Sequence, residues 1–188
     1  MDKGGNLKER LYRLIKDKAY HEGKIKLASG KESDYYIDAR AVTLSSEGAF
    51  LVGSIVFDIV KDLKIDAAGG PTLGADPIVG ALAAISFQNN KPINTFLIRK
   101  MPKGHGRMLQ VEGPALKAGD EVVLLDDVAT TGGSLKDSIA ILTKMDVRVK
   151  KAIVIVDRDE RAKEILAKDG CELISIFKAS EFFSSKLK

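Results

Sequence analysis

The chain predicts an α/β fold with a mostly parallel sheet flanked by helices. Short apolar runs alternate with amphipathic helical patterns over most of its length. In the clearest unit, the apolar run Val122, Val123, Leu124, Leu125 meets two adjacent carboxylates, Asp126 and Asp127. A small-residue loop follows (Val128, Ala129, Thr130, Thr131, Gly132, Gly133, Ser134), and then a helical pattern with Leu135, Ile139 and Leu142 on one face. This reads as a buried parallel strand, a turn and a helix start, the place where open α/β sheets hold ligands.

The elements follow in order. Residues 6–18 form an amphipathic helix on Leu7, Leu11, Leu14 and Ile15. Residues 24–27 and 35–38 are β-prone about a turn-rich stretch, which predicts a hairpin-like unit. Residues 1–40 are therefore read as a small N-terminal hood packed over one end of the sheet, and 41–188 as the core, within one structural domain. Ser46 is placed to cap a helix reaching about Leu63. Residues 65–70 read as a strand entering a glycine turn, and 73–87 as a helix with Asp76 and Pro77 near its start, where proline is tolerated. Strands are predicted at 95–99, 121–126, 152–157 and 172–177, and helices at 134–145 and 160–168. Residues 179–188 read as a short helix or frayed tail.

Composition bounds the function. At 188 residues, 45% hydrophobic and 30% charged, the chain is a soluble globular protein with room for one core. No apolar run is long enough to span a membrane, and the first residues lack the apolar region of a signal peptide. The lone Cys171 has no disulfide or CxxC partner and reads as a small buried hydrophobe, so a cytoplasmic protein is expected. The net charge of +4 is spread among 26 acidic residues with no basic stripe. It suits a polyanionic small substrate as well as nucleic acid, and neither a nucleic acid nor a membrane is the expected partner.

Small side chains in the loop after Asp127 let backbone N–H groups converge on an anion, aided by the helix N-terminus. Two carboxylates just upstream suit ribose hydroxyls rather than a phosphate. A ribose 5-phosphate with free vicinal hydroxyls is the inferred ligand. The segment is neither Walker A nor a dinucleotide fingerprint.

A second stretch carries Arg99, Lys100, Lys103, His105 and Arg107 among three glycines, and continues to Glu112. It suggests a loop able to close on an anion, the alternative being a plain solvated basic loop. His105 lies between glycines, which disfavours a structural role; His21 is read as a surface or packing residue.

Residues 122–134 resemble the phosphoribosyl pyrophosphate (PRPP) motif of type I phosphoribosyltransferases, and with the basic stretch the resemblance narrows to the orotate phosphoribosyltransferases. Two further segments agree: Leu27, Ser29, Gly30, Ser33, Tyr35, Tyr36 and Asp38 resemble the orotate-side motif, and Val156, Asp157, Arg158 and Glu160 resemble the family's Val-Asp-Arg-x-Glu segment. The resemblance implies the type I phosphoribosyltransferase fold and Mg²⁺-dependent transfer of phosphoribosyl from PRPP to orotate in pyrimidine biosynthesis. Asp126 and Asp127 would hold the ribose hydroxyls and Ala129 to Ser134 the 5-phosphate, with Val128 also among the PRPP-binding residues. Arg99, Lys100, Lys103 and His105 would contact pyrophosphate, with Lys103, His105 and Asp127 as the catalytic set.

Thr130, Arg158 and Tyr36 would hold orotate. A guanidinium fork suits the carboxylate that distinguishes orotate from uracil. Tyr36 is favoured over Tyr35 for the ring, although paired tyrosines in a strand commonly pack one side into the core. The resemblance also implies a homodimer whose basic loop reaches the neighbouring subunit's site, and magnesium held mainly by substrate. Gly70 to Gly74 match a pyrophosphate loop, or form a plain connection. The chain departs from the family at Ala28, where some members carry a cation, and in the apolar stretch Met108 to Val111. The rivals are a phosphoribosyltransferase for another base and a PRPP-sensing regulator.

Overall fold

The computed structural model describes residues 5–26, 32–101 and 110–183. A six-stranded sheet contains β3 (Ala67–Pro71), β4 (Asn94–Ile98), β5 (Val111–Glu112), β6 (Glu121–Ala129), β7 (Arg148–Asp157) and β8 (Glu172–Lys178), in the order β5-β4-β3-β6-β7-β8. All neighbours run parallel except β4 and β5. The edge strand β5 was not legible in the sequence: two residues are too few for an alternating pattern.

The hood comprises α1 (Gly5–Lys18) and a separate antiparallel hairpin of β1 (Tyr20–Lys26) and β2 (Glu32–Ile37). β1 starts earlier than the sequence suggests, because Tyr20 pairs with Ile37 and both are buried. Leu11 and Ile15 of α1 are fully buried in a cluster that also holds Val52, Val156 and Phe177, so the hood shares its core with the sheet.

After the short α2 (Arg40–Thr43) comes α3 (Ser46–Val60). Its cap is Ser45 rather than Ser46: the Ser45 hydroxyl accepts from the Gly48 N–H at 3.1 Å, with extended backbone at Ser45. α4 (Asp76–Gln88) begins with Pro77 in its first turn and packs on α3, where Gly53 meets Ala81. α5 (Gly133–Thr143) buries Leu135, Ile139 and Leu142, as the periodicity required, against a second cluster on the other sheet face that includes Val122, Leu124 and Val154. α6 (Ala162–Ala167) also joins that cluster.

Cys171 is buried, and desolvation pushes its thiol up to about 11. A 3₁₀ turn, Ala179–Phe182, returns the chain to the hood. Among the described residues, no helix is long and apolar enough to cross a membrane.

Candidate active site

The sheet opens between its two central strands. β3 pairs with β6 only from Ala67–Val122 to Gly69–Leu124. Beyond that point β3 stays with β4 as far as Pro71–Ile98, and β6 stays with β7 as far as Ala129–Asp157. Successive strands lie on opposite sides of this gap, so it is the topological switch point where such sheets bind ligands. The acid pair lies inside β6, not at its end as the sequence suggested. One-sided pairing with β7 carries the strand on to Ala129, which leaves the β3 side of Asp126 and Asp127 facing the gap.

A cavity of about 620 Å³ fills the crevice, lined by Asp126, Asp127, Val128, Thr130, Thr131 and Ser134 from β6 and its loop. Tyr36, Asp38 and Arg40 line it from the hood side, Thr72 to Gly74 from the turn after β3, Lys100 from the end of β4, and Arg158 and Glu160 from the end of β7. Ala129, Gly132 and Gly133 are not lining residues, and Gly132 takes φ +77° at the start of α5, packed against Ala162. That left-handed turn aims the loop into the first turn of α5, whose N–H groups have no intrahelical acceptor.

Both carboxylates are pinned. The Asp127 N–H donates to Asp126 Oδ1 at 2.9 Å, and the Val128 N–H to Asp127 Oδ1 at 2.7 Å. Burial, reinforced by the charge of Asp127, pushes the Asp126 carboxyl well above the usual range, against the pull of Asp127's own N–H and of Lys100. Burial also raises Asp127, opposed by the Val128 N–H and Arg40. Such a pair is chemically suited to hydroxyl donors and a nearby cation, either of which would offset the cost of the desolvated charge.

Arg158 is set apart by its environment. Its side chain is only 7% exposed, yet its Nε–H has no hydrogen-bond acceptor: Glu160 Oε1 is 3.3 Å away but out of line. Tyr35 and Tyr36 divide as alternate strand residues should. Tyr36 lines the cavity, whereas Tyr35 lies under Arg158 and against Tyr20 and Phe183.

Arg99 is not a lining residue; it pairs with Glu112 of the edge strand β5 at 3.4 Å. Lys103 and His105 lie outside the described residues, as do Ala28, Met108 and Leu109. Sequence reasoning missed Arg40, whose guanidinium lies 3.3 Å from Asp38 Oδ1 and acts on Asp127. A cation two residues beyond the orotate-side motif was the available signal.

Residues 44–184 match the phosphoribosyl transferase domain family. The chain is 42% identical to an orotate phosphoribosyltransferase of Aquifex aeolicus, over 93% of this chain and 96% of that one. A crystal structure of Mycobacterium tuberculosis orotate phosphoribosyltransferase in complex with Fe(III) dicitrate superposes with a TM-score of 0.82 at 29% identity, covering 95% of this chain and 99% of the other. The same enzyme in complex with PRPP gives 0.77 at 27% identity, covering 94% and 98%. A crevice with an acid pair, a small-residue loop and a sequestered guanidinium thus coincides with similarity over more than nine-tenths of the chain, and the chain belongs to the phosphoribosyltransferase family, within its orotate phosphoribosyltransferase group.

Proposed function

We propose that this chain transfers phosphoribosyl from PRPP to N1 of orotate, giving orotidine 5′-monophosphate and pyrophosphate, and so serves pyrimidine synthesis. The observation that carries the acceptor is Arg158, a sequestered guanidinium in the same cavity as the acid pair and the small-residue loop. A carboxylate-bearing base matches its fork, whereas uracil brings no anion and leaves the guanidinium only Glu160, 3.3 Å from Nε.

In this reading Asp126 and Asp127 accept the ribose hydroxyls, and Thr130, Thr131 and Ser134 surround the 5-phosphate at the start of α5. Tyr36 faces the ring and Arg158 its carboxylate. Negative charge gathers on the departing pyrophosphate as positive charge gathers on the ribose, so cations at the leaving group contribute directly to rate. Lys100 is such a cation on the cavity wall. The family resemblance assigns the same work to Arg99, Lys103 and His105.

The residues present fit magnesium in one way. No group of three or more His, Cys, Asp or Glu side chains among the described residues could hold a metal alone, but two adjacent carboxylates suit an ion that keeps its waters and shares substrate oxygens. Asp126 and Asp127 would hold it through the ribose hydroxyls or water, and it would neutralise charge on the leaving group. The reading includes a cytoplasmic homodimer in which the loop bearing Lys103 and His105 serves the neighbouring subunit's site.

The test is the fall in orotate absorbance when PRPP and Mg²⁺ are added together. No fall with orotate, but turnover of uracil or a purine, would replace the acceptor. PRPP binding without turnover of any base would favour a regulator.

A further inference from the structure

We infer that Ser33 and Tyr35 of the hood are positioning residues that fix the orientation of the Arg158 guanidinium and thereby set the preference for a carboxylate-bearing base; this rests on the reading of the cavity as an orotate site. The Ser33 hydroxyl donates to the Tyr35 carbonyl at 2.8 Å, so its proton is committed and a lone pair is left for Arg158. Arg158 Nη2 donates to that oxygen at 3.0 Å.

The Tyr35 ring forms a floor beneath the guanidinium, 4.5 Å from Cζ to the ring centroid. That ring is itself wedged by Phe183 at 4.9 Å and Tyr20 at 6.1 Å between centroids. From the core side, the Arg158 N–H donates to the Ala129 carbonyl at 2.9 Å, which ties the residue to the end of β6.

The guanidinium is therefore gripped on one face and at Nη2. An arginine carries five N–H donors and Ser33 takes one at Nη2, so donors remain for an incoming carboxylate. An arginine left to itself loses much rotamer freedom on gripping a ligand; here that loss is incurred on folding, so binding retains more of the interaction. Neither Ser33 nor Tyr35 lines the cavity, so both act through Arg158.

The experiment compares Michaelis constants for orotate and PRPP in Ser33→Ala, Tyr35→Leu and Tyr35→Phe, with competitive binding of uracil. Tyr35→Leu should raise the orotate constant about tenfold, through loss of the ring beneath the cation and looser positioning of Arg158. Ser33→Ala should raise it about fivefold, through loss of a hydrogen bond to a charged group. Tyr35→Phe keeps the ring and should stay within about threefold of the parent. The constant for PRPP should hold within about twofold in all three, and the affinity ratio of orotate to uracil should fall in the first two, since of the two bases only orotate brings a carboxylate to the guanidinium.

Unchanged orotate constants in Ser33→Ala and Tyr35→Leu would overturn the inference, as would a rise shared equally by PRPP or a Tyr35→Phe enzyme no better than Tyr35→Leu. Should Tyr35→Leu fail to fold, Ser33→Ala decides alone. A parent enzyme that consumes no orotate would instead overturn the functional reading.

Discussion

A β-carbon at Gly74 would stand 2.3 Å from Asp126 Oδ1, and 2.6 Å from Asp127 Oδ1. The turn after β3 thus walls the acid pair at a distance only glycine permits. Because both carboxylates are held by backbone N–H groups, neither can swing aside without losing its bond. Gly74→Ala is expected to weaken PRPP binding by about tenfold or more through displaced carboxylates, with the fold retained. Calorimetric titration with PRPP, alongside circular dichroism, checks it; parent-like affinity would mean that the turn moves instead.

Asp126→Asn should separate stability from function. Burial raises the folded-state value of Asp126 above its unfolded one, so between those values the folded protein binds more protons and stability falls as pH rises. Below the unfolded value both states are protonated and the penalty is absent. Asparagine keeps an oxygen for the Asp127 N–H but carries no charge. Its melting temperature should therefore exceed the parent's by about 2–4 °C near neutral pH, for each kcal/mol relieved. The gap should close as pH falls below about 4, the ordinary aspartate value. PRPP affinity should drop in the same variant, and a variant less stable than the parent at pH 7 would contradict the assigned cost.

Arg40 links the hood side of the cavity to this pair. Its cation favours the ionised form of Asp127 against burial, while Asp38 holds it in place at 3.3 Å. Since both carboxyls titrate above the ordinary range, PRPP affinity should begin to fall, on acidification, at a higher pH than an exposed aspartate would give. Removing the opposing cation in Arg40→Ala should move that fall to still higher pH. At neutral pH the loss should be modest, about threefold, because the side chain is 44% exposed and screened. Arg40→Lys should recover part of the shift. Affinity profiles from pH 5 to 8 for the three proteins decide it, and superimposable profiles would remove Arg40 from the site.

Much of this architecture could be read in advance, and the exceptions have physical causes. Val122 to Leu125 and Leu135, Ile139, Leu142 were legible because burial on both faces of a strand and on one face of a helix imposes a pattern. The small-residue loop and acid pair were legible because two adjacent carboxylates and a run of small residues at the end of an apolar strand are costly to bury without a partner. The position of the pair within β6 was not, since it depends on β3 leaving β6 beyond Leu124, a long-range pairing that no local window records. The same holds for the grip of Ser33 and Tyr35 on Arg158, residues more than a hundred positions apart. Ser45 displaced Ser46 as cap because either serine satisfies the local pattern and backbone geometry chose.

Phe182 joins the hood's aromatic rings to the sheet, which gives a prediction linking packing to substrate binding. Phe182 is fully buried, with ring centroids at 5.0 Å from Tyr12, 5.5 Å from Phe177 and 6.2 Å from Tyr20. The flanking chain is tied to α1, where the Tyr12 hydroxyl donates to the Glu181 carbonyl at 2.9 Å and Lys16 Nζ to the Phe182 carbonyl at 3.1 Å. Phe182→Ala should cost about 3–5 kcal/mol, the range for emptying a buried aromatic site. Phe182→Leu, which retains most of the volume, should cost about 1–2 kcal/mol. Because Tyr20 packs on both Phe182 and Tyr35, loosening should reach the floor beneath Arg158, so Phe182→Leu should also weaken orotate more than PRPP. Denaturant melts give the stability order, and substrate titrations of the folded Phe182→Leu protein give the second result. A variant destabilised as expected but with both affinities intact would show that the hairpin holds its geometry without this aromatic support.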